Sequence, residues 1–494
     1  MIVSFEKMEA LRWLEYLKKD GKVVVNNHEM MPMPVIMGKA DYSPDIIKEM
    51  QDNCKDVTVV NATEEAVKLG NGKVMNIILL GTIIKAMGLE DIDWNKIVRE
   101  NVKPAFVDTC RSGMTCIEDY SDSTMRGMTP FYRALDEIQS KGRLVRIAVF
   151  GDSFIEADIF TADLREMLQK RFGGCGVGFV TITSMTSGYR PTVRHSFGGW
   201  SSHAVTDSVY FDKKKQGISG HYFVPRERAY VELRGQNKYA SLLDTCQIAS
   251  IFFYNKGEVN LSVCVNRGEA EARDFSTTGR LQQMKVNGRI GSVRWDINRA
   301  DSTLFYGVAM DGTQGVVVDN FSLRGSSGLS LRSIPSKMLQ EFNAQRPYDL
   351  IILEYGLNVA TERGRNYDPY KKGLLTAINH LKECFPQAGF LLLSVGDRDY
   401  KTDTGELRTM PGVKNLIRYQ QNIAAESGIA FWNMFEAMGG EGSMAGLVHA
   451  KPSLANYDYT HINFRGGRHL AGLLYETLIY GKEQYERRKA YEAE

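Results

Sequence analysis

Three residues of this sequence have the side chains that nucleophilic hydrolysis requires. Ser153 follows Gly151 and Asp152 directly after the apolar run "RLVRIAVF", and the late segment "DYTH" carries Asp458 three residues before His461. A serine hydroxyl needs a base to accept its proton, and that base needs a carboxylate to orient it. The spacing lets the side chains of Asp458 and His461 share one short loop. Each motif also has a structural interpretation, because serine commonly caps helices and Asp-x-x-His commonly begins one.

Two further positions could stabilise negative charge on a reacting oxygen. Asn358 ends "LEYGLN" after the apolar run "DLIIL", and Gly328 ends "NFSLRGSSG" after "GVVVD". An amide side chain or a backbone N–H donated by a glycine can hydrogen-bond an oxyanion. Gly325, in the same segment, is a similar candidate for donating a backbone N–H to the oxyanion. The structural alternatives are an Asx turn at Asn358 and a plain turn at the glycines.

The elements that carry these residues predict an α/β fold. Strand-like runs alternate with amphipathic helices before residue 175 and again after residue 319, and this alternation is typical of a parallel sheet covered by helices. Ser153, Gly328 and Asn358 each follow a predicted strand. Because ligands bind beyond the carboxyl ends of parallel strands, we expect these residues to meet at one edge of the sheet.

The segment between these two stretches has a different sequence pattern. Residues 176–318 contain short alternating runs, such as "ASIFFYN" and "VNLSVCVN", separated by Gly, Asn and Asp. This pattern predicts an all-β insert, which we interpret as a sandwich. Within it, Trp200 and Tyr210 could stack on sugar rings, although a role in the core is an equal alternative.

The order Gly-Asp-Ser, Gly, Gly-x-Asn, Asp-x-x-His resembles the SGNH (GDSL-type) hydrolase superfamily. The resemblance implies that Ser153 is the nucleophile, that His461 is the general base and acid, and that Asp458 orients His461. It also implies an oxyanion hole formed by the N–H of Ser153 with Gly328 and Asn358, on a flavodoxin-like parallel sheet. The serine does not lie in a Gly-x-Ser-x-Gly turn, which disfavours an ordinary α/β-hydrolase.

Within this superfamily, "GDSFIEADIFTADLREMLQKRFGGCGVGF" resembles the first motif block of peptidoglycan O-acetylesterases. Those enzymes carry a β-sandwich insert between their first two blocks. The resemblance covers about residues 120–482 and departs at Phe154, where many relatives have a polar residue. It implies removal of O-acetyl groups from a glycan, most simply peptidoglycan, without a metal or cofactor. A general GDSL lipase or an acetylxylan-type esterase is the alternative.

Residues 1–108 predict a separate α/β segment. "FEKMEALRWLEYLKKDG" has helical periodicity, "KVVVNN" and "VTVV" are typical of strands, and "VMNIILLGTIIKAMG" is apolar nearly all round, as in a buried helix. The segment resembles the C-terminal part of the indolepyruvate:ferredoxin oxidoreductase beta subunit. That family's subunit begins with a glycine-rich strand–turn–helix, which is missing here, so we expect a truncated segment. The resemblance implies a partner subunit that holds thiamine diphosphate and iron–sulfur clusters.

Between the two regions, residues 109–140 predict a polar linker and a lead-in helix. The expected organisation is therefore an oxidoreductase-like segment (1–108), this linker, a hydrolase domain (141–175 and 319–482) and the insert (176–318). Two alternatives are an oxidoreductase subunit fragment and a carbohydrate-binding protein with an inactive hydrolase core. The meeting of two unrelated resemblances suggests a fusion of neighbouring reading frames, which sequencing of the locus and its transcript tests.

Composition limits the environment and the partners of the chain. The 494 residues carry a net charge of +2, which gives no reason to expect a nucleic acid as partner. The seven cysteines form no C-x-x-C pair, so we expect neither a disulfide framework nor a structural zinc site. The sequence contains no run of 18 apolar residues, so we expect no membrane span. The N-terminal sequence has no signal-peptide pattern, so we expect a cytoplasmic protein, although hydrolases of this resemblance act outside the cytoplasm.

Overall fold

The computed structural model describes residues 1–31, 35, 42–70, 74–90, 106–122, 127–207 and 211–493. The chain divides into two compact units, Met1–Ala105 and Phe106–Glu494. No helix within the described ranges is both long enough and apolar enough to cross a membrane.

The N-terminal unit is built on a small parallel sheet. Its strands are β1 (Ile2–Ser4), β2 (Lys22–Asn26) and β3 (Asp56–Val60), paired in that order. The predicted strands "KVVVNN" and "VTVV" are thereby confirmed. Four helices accompany the sheet: α1 (Lys7–Arg12), α2 (Ile46–Asn53), α3 (Ala62–Lys68) and α4 (Met75–Ala86), and a 3₁₀ turn covers Leu14–Tyr16.

The expectation of a buried helix at "VMNIILLGTIIKAMG" is wrong for the residues described. Helix α4 buries only Leu79, whereas Ile77 and Leu80 are 67% and 54% exposed. A three-stranded sheet offers little surface to cover a helix that is apolar on every side, so part of α4 faces outward within this unit. The segment "DIDWNKIVREN" and most of "EMMPMPVIMG" lie outside the described residues.

The second unit contains a six-stranded sheet. Its strands are β4 (Glu118–Asp119), β5 (Leu144–Gly151), β15 (Gly315–Ser322), β16 (Leu350–Glu354), β17 (Gly389–Leu393) and β20 (Ala430–Trp432). The spatial order is β15-β5-β16-β17-β20-β4, and every pairing is parallel except that of the short edge strand β4. This is the doubly wound arrangement, in which side chains from loops at the carboxyl edge converge.

Helices follow the strands of this sheet. They are α5 (Thr129–Lys141), α6 (Thr161–Phe172), α7 (Ser336–Gln345), α8 (Asp368–Cys384), α9 (Pro411–Ser427), α10 (Met434–Met438), α11 (Ser443–His449) and α12 (Phe464–Ala493), with 3₁₀ turns at Glu156–Asp158 and Leu329–Ser333. A small hairpin joins β18 (Asp399–Lys401) to β19 (Leu407–Thr409). Every residue of β16 and β17 is buried, because helices cover both faces of the sheet.

The insert is antiparallel, as its alternating pattern predicts. Its strands are β6 (Gly178–Val180), β7 (Val193–Ala204), β8 (His221–Gly235), β9 (Cys246–Asn255), β10 (Val259–Val265), β11 (Ala270–Phe275), β12 (Gln282–Ile290), β13 (Ser292–Ala300) and β14 (Thr303–Asp311). A 3₁₀ turn covers Lys213–Lys215. The inner faces bury an apolar core around Trp295, Phe253 and Phe305.

The insert, which the sequence predicts to be a sandwich, forms one connected antiparallel sheet. Strand β8 joins its two parts, because its C-terminal half pairs with β13 while Phe223, near its beginning, pairs with Phe305 of β14. The register shifts between Gly198 and Trp200, where the paired β7 strand bulges, and such bulges bend a sheet. The indole of Trp200 packs edge-on against Phe305 and donates to the Tyr230 carbonyl, so it belongs to the core. Tyr210 lies outside the described residues.

A buried ionic cluster ties the insert to the six-stranded sheet. The Arg346 guanidinium pairs with Asp311 at the end of β14 and with Asp319 on β15, and Tyr348 donates to Asp319 at 2.7 Å. All four side chains are buried, and the nearby guanidinium holds the pKa of Asp319 below its usual range despite its burial. Removing one partner from such a cluster leaves an uncompensated buried charge.

The segment expected to be a linker packs on the second unit. The Thr115 carbonyl accepts hydrogen bonds from Trp432 Nε1 at 2.9 Å and from Thr477 at 3.1 Å, and Thr109 contacts Gln484 on α12. A single disulfide joins Cys110 to Cys116, which the cysteine spacing did not predict, while the other five cysteines are free. A turn from Arg111 to Met114 brings the two Cα atoms within 5.8 Å, a relationship that cysteine spacing alone does not reveal.

Candidate active site

The candidate residues follow the carboxyl ends of neighbouring strands. Gly151, the last residue of β5, lies opposite Ser322 of β15 and Glu354 of β16. Ser153 comes two residues beyond β5 and Asn358 four residues beyond β16. The edge of the sheet therefore brings together side chains that are more than 200 residues apart in the sequence.

Ser153, His461 and Asp458 form a continuous chain of hydrogen bonds. Ser153 Oγ lies 3.1 Å from His461 Nε2, and His461 Nδ1 lies 2.8 Å from Asp458 Oδ2. If Nδ1 carries the proton that faces the carboxylate, Nε2 has a lone pair directed at the serine hydroxyl. This is the geometry that general-base activation of a serine requires.

The loop before α12 holds the acid and the base. An isolated bridge pairs Ala455 with Ile462, and the Asn456 N–H donates to the His461 carbonyl at 2.8 Å. Between them, Tyr459 adopts a left-handed backbone with φ of 52°. A non-glycine residue in that region costs free energy, and such strain is often found at functional sites.

The protonation state of Asp458 is set by this loop. Partial burial opposes ionisation, but the backbone N–H and the imidazole of His461 and the N–H of Thr460 lower the pKa of Asp458 below its usual range. The two backbone donors lie 2.9 and 3.0 Å from Oδ1. The carboxylate is therefore ionised at neutral pH and free to hold the imidazole through Oδ2.

The amide nitrogen of Asn358 donates two hydrogen bonds. Its Nδ2 donates at 2.9 Å to Asp152 Oδ2 and at 2.9 Å to the Ser326 carbonyl. Asp152 also accepts the Phe154 N–H at 2.9 Å. Asn358 thus links the loops that follow three strands, and both of its N–H groups already have acceptors in this structure.

The two candidate glycines differ in their surroundings. The Gly328 N–H donates to Ser326 Oγ at 3.1 Å, and a Cβ at Gly328 would lie 2.7 Å from the Tyr355 ring, so its φ of 83° and its packing both require glycine. The N–H of Gly325 has no hydrogen-bond partner among the described residues, and its Cα faces open space. Within the described residues, the backbone N–H of Gly325 is therefore not engaged, whereas that of Gly328 already has an acceptor.

Two acidic residues beneath the site were not assigned from the sequence. Asp152 and Glu354 are buried, and neither oxygen of Glu354 has a hydrogen-bond partner within the part of the chain described. Burial raises the pKa of Glu354 well above its usual range, and the charge of Asp152 raises it further. Burial likewise raises the pKa of Asp152. The sequence signals for these two residues are the aspartate of the Gly-Asp-Ser motif and the glutamate that follows the apolar run "DLIIL".

Phe154, where the sequence departs from the resemblance, does not face the site. Its side chain is 1% exposed and belongs to the core around β5. The departure therefore contributes packing and leaves the hydrogen bonds around Ser153 unaffected.

Comparison with known proteins gives different relatives for the two ends of the chain. Residues 1–117 match the family model described as pyruvate ferredoxin/flavodoxin oxidoreductase. The indolepyruvate oxidoreductase subunit IorB of Thermococcus kodakarensis is 33% identical over 113 residues, and that of Pyrococcus horikoshii is 36% identical over 114 residues. Each alignment covers 22% of this chain and 56% of the relative, so the chain spans little more than half the length of these curated relatives. The resemblance of the N-terminal region is confirmed.

The larger part of the chain is similar to a solved peptidoglycan O-acetylesterase. The two structures share 20% sequence identity with a TM-score of 0.61, and the match covers 74% of this chain and 99% of the other. At this identity the match demonstrates a common fold, an α/β unit that includes the antiparallel insert. The structural resemblance expected from the motifs is confirmed.

Proposed function

We propose that the second unit is a serine esterase of SGNH type that removes O-acetyl groups from a carbohydrate polymer, most simply peptidoglycan. The observation that carries this proposal is the hydrogen-bonded chain Ser153–His461–Asp458 at the carboxyl edge of the sheet. The parallel strands are ordered β15-β5-β16-β17-β20, so the second strand in the chain lies outside the first. This is the flavodoxin-like order, and it supports the same assignment. In this proposal 141–175 and 319–482 form the hydrolase domain, interrupted by 176–318.

In the first half of the reaction, Ser153 Oγ attacks the acetyl carbonyl carbon while His461 Nε2 takes the hydroxyl proton. Asp458 stabilises the resulting imidazolium through Nδ1. When the tetrahedral intermediate collapses, the bond to the sugar oxygen breaks, and His461 returns the proton to that oxygen. The products are the free sugar hydroxyl and acetyl-Ser153.

In the second half, water replaces the sugar. His461 takes a proton from the water as its oxygen attacks the acyl carbon. When the second intermediate collapses, the bond from the acyl carbon to Ser153 Oγ breaks, His461 returns the proton to Oγ, and acetate leaves. Negative charge forms on the carbonyl oxygen in both halves. The proposed donors are the N–H of Ser153, a glycine N–H from the 325–328 loop, and Asn358, which would share one of its engaged N–H groups with the oxyanion.

The decisive experiment measures acetate release from O-acetylated peptidoglycan, acetylated xylan and long-chain esters. Preference for peptidoglycan supports the proposal, preference for xylan favours an acetylxylan-type esterase, and preference for long chains favours a lipase. Ser153→Ala should abolish release on every substrate with the fold intact, whereas Ser140→Ala, an exposed serine on α5, serves as the matched control. Activity retained by Ser153→Ala would exclude this serine as the nucleophile.

A second proposal concerns the N-terminal unit, because its relatives are oxidoreductase subunits. We propose that residues 1–108 can associate with an oxidoreductase partner subunit that holds thiamine diphosphate and iron–sulfur clusters. Co-expression with an indolepyruvate oxidoreductase alpha subunit and co-purification test it. Failure of the full chain to co-purify, under conditions where an intact beta subunit does, would refute this proposal.

A further inference from the structure

A cavity lies where the insert meets the catalytic sheet. It has a volume of about 250 Å³ and is lined by residues of both parts. The proposed hydrolase domain, called the catalytic part below, contributes Glu156, Ser322 and Arg324. The insert contributes Thr183 and Ser202. None of the residues assigned to the proposed chemistry lines it.

The cavity is directly connected to the loop that carries Ser153. The Glu156 N–H donates to the Ser153 carbonyl at 3.4 Å, and Ser322 pairs with Gly151 in the sheet. The next residue, Leu323, also lines the cavity and donates its N–H to the Gly151 carbonyl at 2.9 Å. Three lining residues are therefore bonded through the backbone to the strand end and the turn that carry Ser153.

Paired hydroxyl groups form the insert wall of this cavity. Thr183 Oγ1 lies 2.8 Å from Ser202 Oγ, and Ser184 Oγ lies 2.9 Å from Thr186 Oγ1. A hydroxyl pair uses one donor and one acceptor, so each pair retains one O–H and free lone pairs. Such a surface matches the hydroxyl groups of a sugar, which are donors and acceptors at once.

The charged groups of the cavity already have partners. Arg324 pairs with Glu156, Arg190 pairs with Asp158, and the Asp207 carboxylate accepts the Ala204 N–H. Burial lowers the pKa of His221, whose ring contacts the Ser219 carbonyl, and this favours the neutral imidazole. Because both guanidinium groups are paired, little positive charge remains for an anionic ligand, which favours a neutral one.

The insert wall is fixed to the catalytic part before any ligand binds. The buried Asp158 accepts hydrogen bonds from Arg190 and Thr192 of the insert and from Thr161 and Asn320 of the catalytic part. Beside the cavity, Tyr189 is 53% exposed, and its N–H donates to the carbonyl of Thr186, which lines the cavity. A preformed polar cavity beside an aromatic ring is well suited to a sugar.

We propose that this cavity is a subsite for a neutral sugar unit of the polymer, adjacent to the acetylated unit held at Ser153. The inference rests on the proposed esterase function and gives the insert a role in recognising the glycan. The sugar's hydroxyl groups would bond to the paired hydroxyls of the insert, and its ring would face Tyr189.

The test compares Thr183→Val, which keeps shape but removes the hydroxyl, with Thr278→Val, an exposed threonine of the insert that does not line the cavity. Both are made in full-length protein carrying Ser153→Ala, and calorimetry measures the binding of unacetylated peptidoglycan oligosaccharides. We expect Thr183→Val, and separately Ser184→Ala, to weaken binding about 2- to 10-fold, the effect of one hydrogen bond, and Thr278→Val to leave it unchanged. Unchanged binding by both cavity variants, with melting temperatures like the parent's, would overturn the subsite.

Activity separates this proposal from the proposed function. In protein that retains Ser153, we expect Thr183→Val to lower kcat/KM on the O-acetylated oligosaccharide more than kcat/KM on a small acetyl ester. An equal fall on both substrates would overturn the subsite and assign the cavity to the reaction centre. A protein that releases no acetate at all but binds the oligosaccharide through Thr183 would refute the esterase while leaving the subsite intact.

Discussion

Asn358 and Asp152 are joined by a 2.9 Å hydrogen bond from Nδ2 to Oδ2, across the carboxyl ends of two adjacent strands. The same amide reaches the Ser326 carbonyl of the loop that follows a third strand. These bonds hold the three loops together, and the proposed donation to an oxyanion would be a second, separable task of Asn358.

Asn358→Ala tests these two tasks. We expect kcat on a small acetyl ester to fall about 10²- to 10³-fold with little change in KM, because an oxyanion donor acts chiefly in the transition state. Asn298→Ala, on the exposed face of the insert, is the control. An effect confined to KM would instead indicate ground-state binding, and a lowered melting temperature with full kcat would indicate a loop-holding role alone.

Asp458→Asn tests the orientation of the base. The amide of an asparagine would donate to His461 Nδ1, so the proton would move to Nε2 and the imidazole could no longer accept the Ser153 proton. We expect kcat to fall about 10³- to 10⁴-fold. Asp403→Asn, in the exposed turn after β18, should behave as the wild type. A fall of less than tenfold would mean that His461 is oriented by other contacts.

Glu354→Gln tests whether the buried Glu354 carboxyl group is protonated in the folded protein, through the pH dependence of stability. The raised pKa keeps Glu354 protonated in the folded state, whereas an unfolded glutamate ionises above about pH 4.3. The folded state then binds the additional proton, so the stability that Glu354 contributes is complete at low pH and is lost as the pH rises towards its folded pKa.

Glutamine cannot ionise, so the unfolding free energy of Glu354→Gln should increase relative to that of the wild type by up to about 1.4 kcal/mol per pH unit. Urea unfolding at pH 5, 6.5 and 8 measures this difference. A difference that does not change with pH would show that Glu354 is ionised in the folded protein.

Truncation tests the boundary between the units. Removal of residues 1–105 should leave acetyl-ester hydrolysis and the melting of the second unit essentially unchanged, because every proposed catalytic residue lies in Phe106–Glu494. Removal of 1–117 should lower the melting temperature, since it deletes the Thr115 carbonyl that Trp432 and Thr477 use and the Cys110–Cys116 disulfide. Equal behaviour of the two truncations would show that the segment is dispensable.

The sequence by itself determined the local features of this protein. Alternation of strands and helices predicted the parallel sheet, period-two runs predicted the antiparallel insert, and the motif order singled out Ser153, Asp458 and His461. These features are readable because side-chain periodicity and short turns depend on neighbouring residues. Asp458 and His461 are only three residues apart, so their contact is also nearly local.

Only the tertiary structure decided what depends on residues distant in the sequence. The bond of Ser153 to His461 spans 308 positions, the connection of the insert into one sheet depends on strand pairing, and the packing of Thr115 depends on Trp432 and Thr477. The choice between Gly325 and Gly328 likewise turns on which N–H already has an acceptor. Such contacts form because burial and hydrogen bonding are satisfied over the whole chain at once, and residue types and spacing carry no direct record of them.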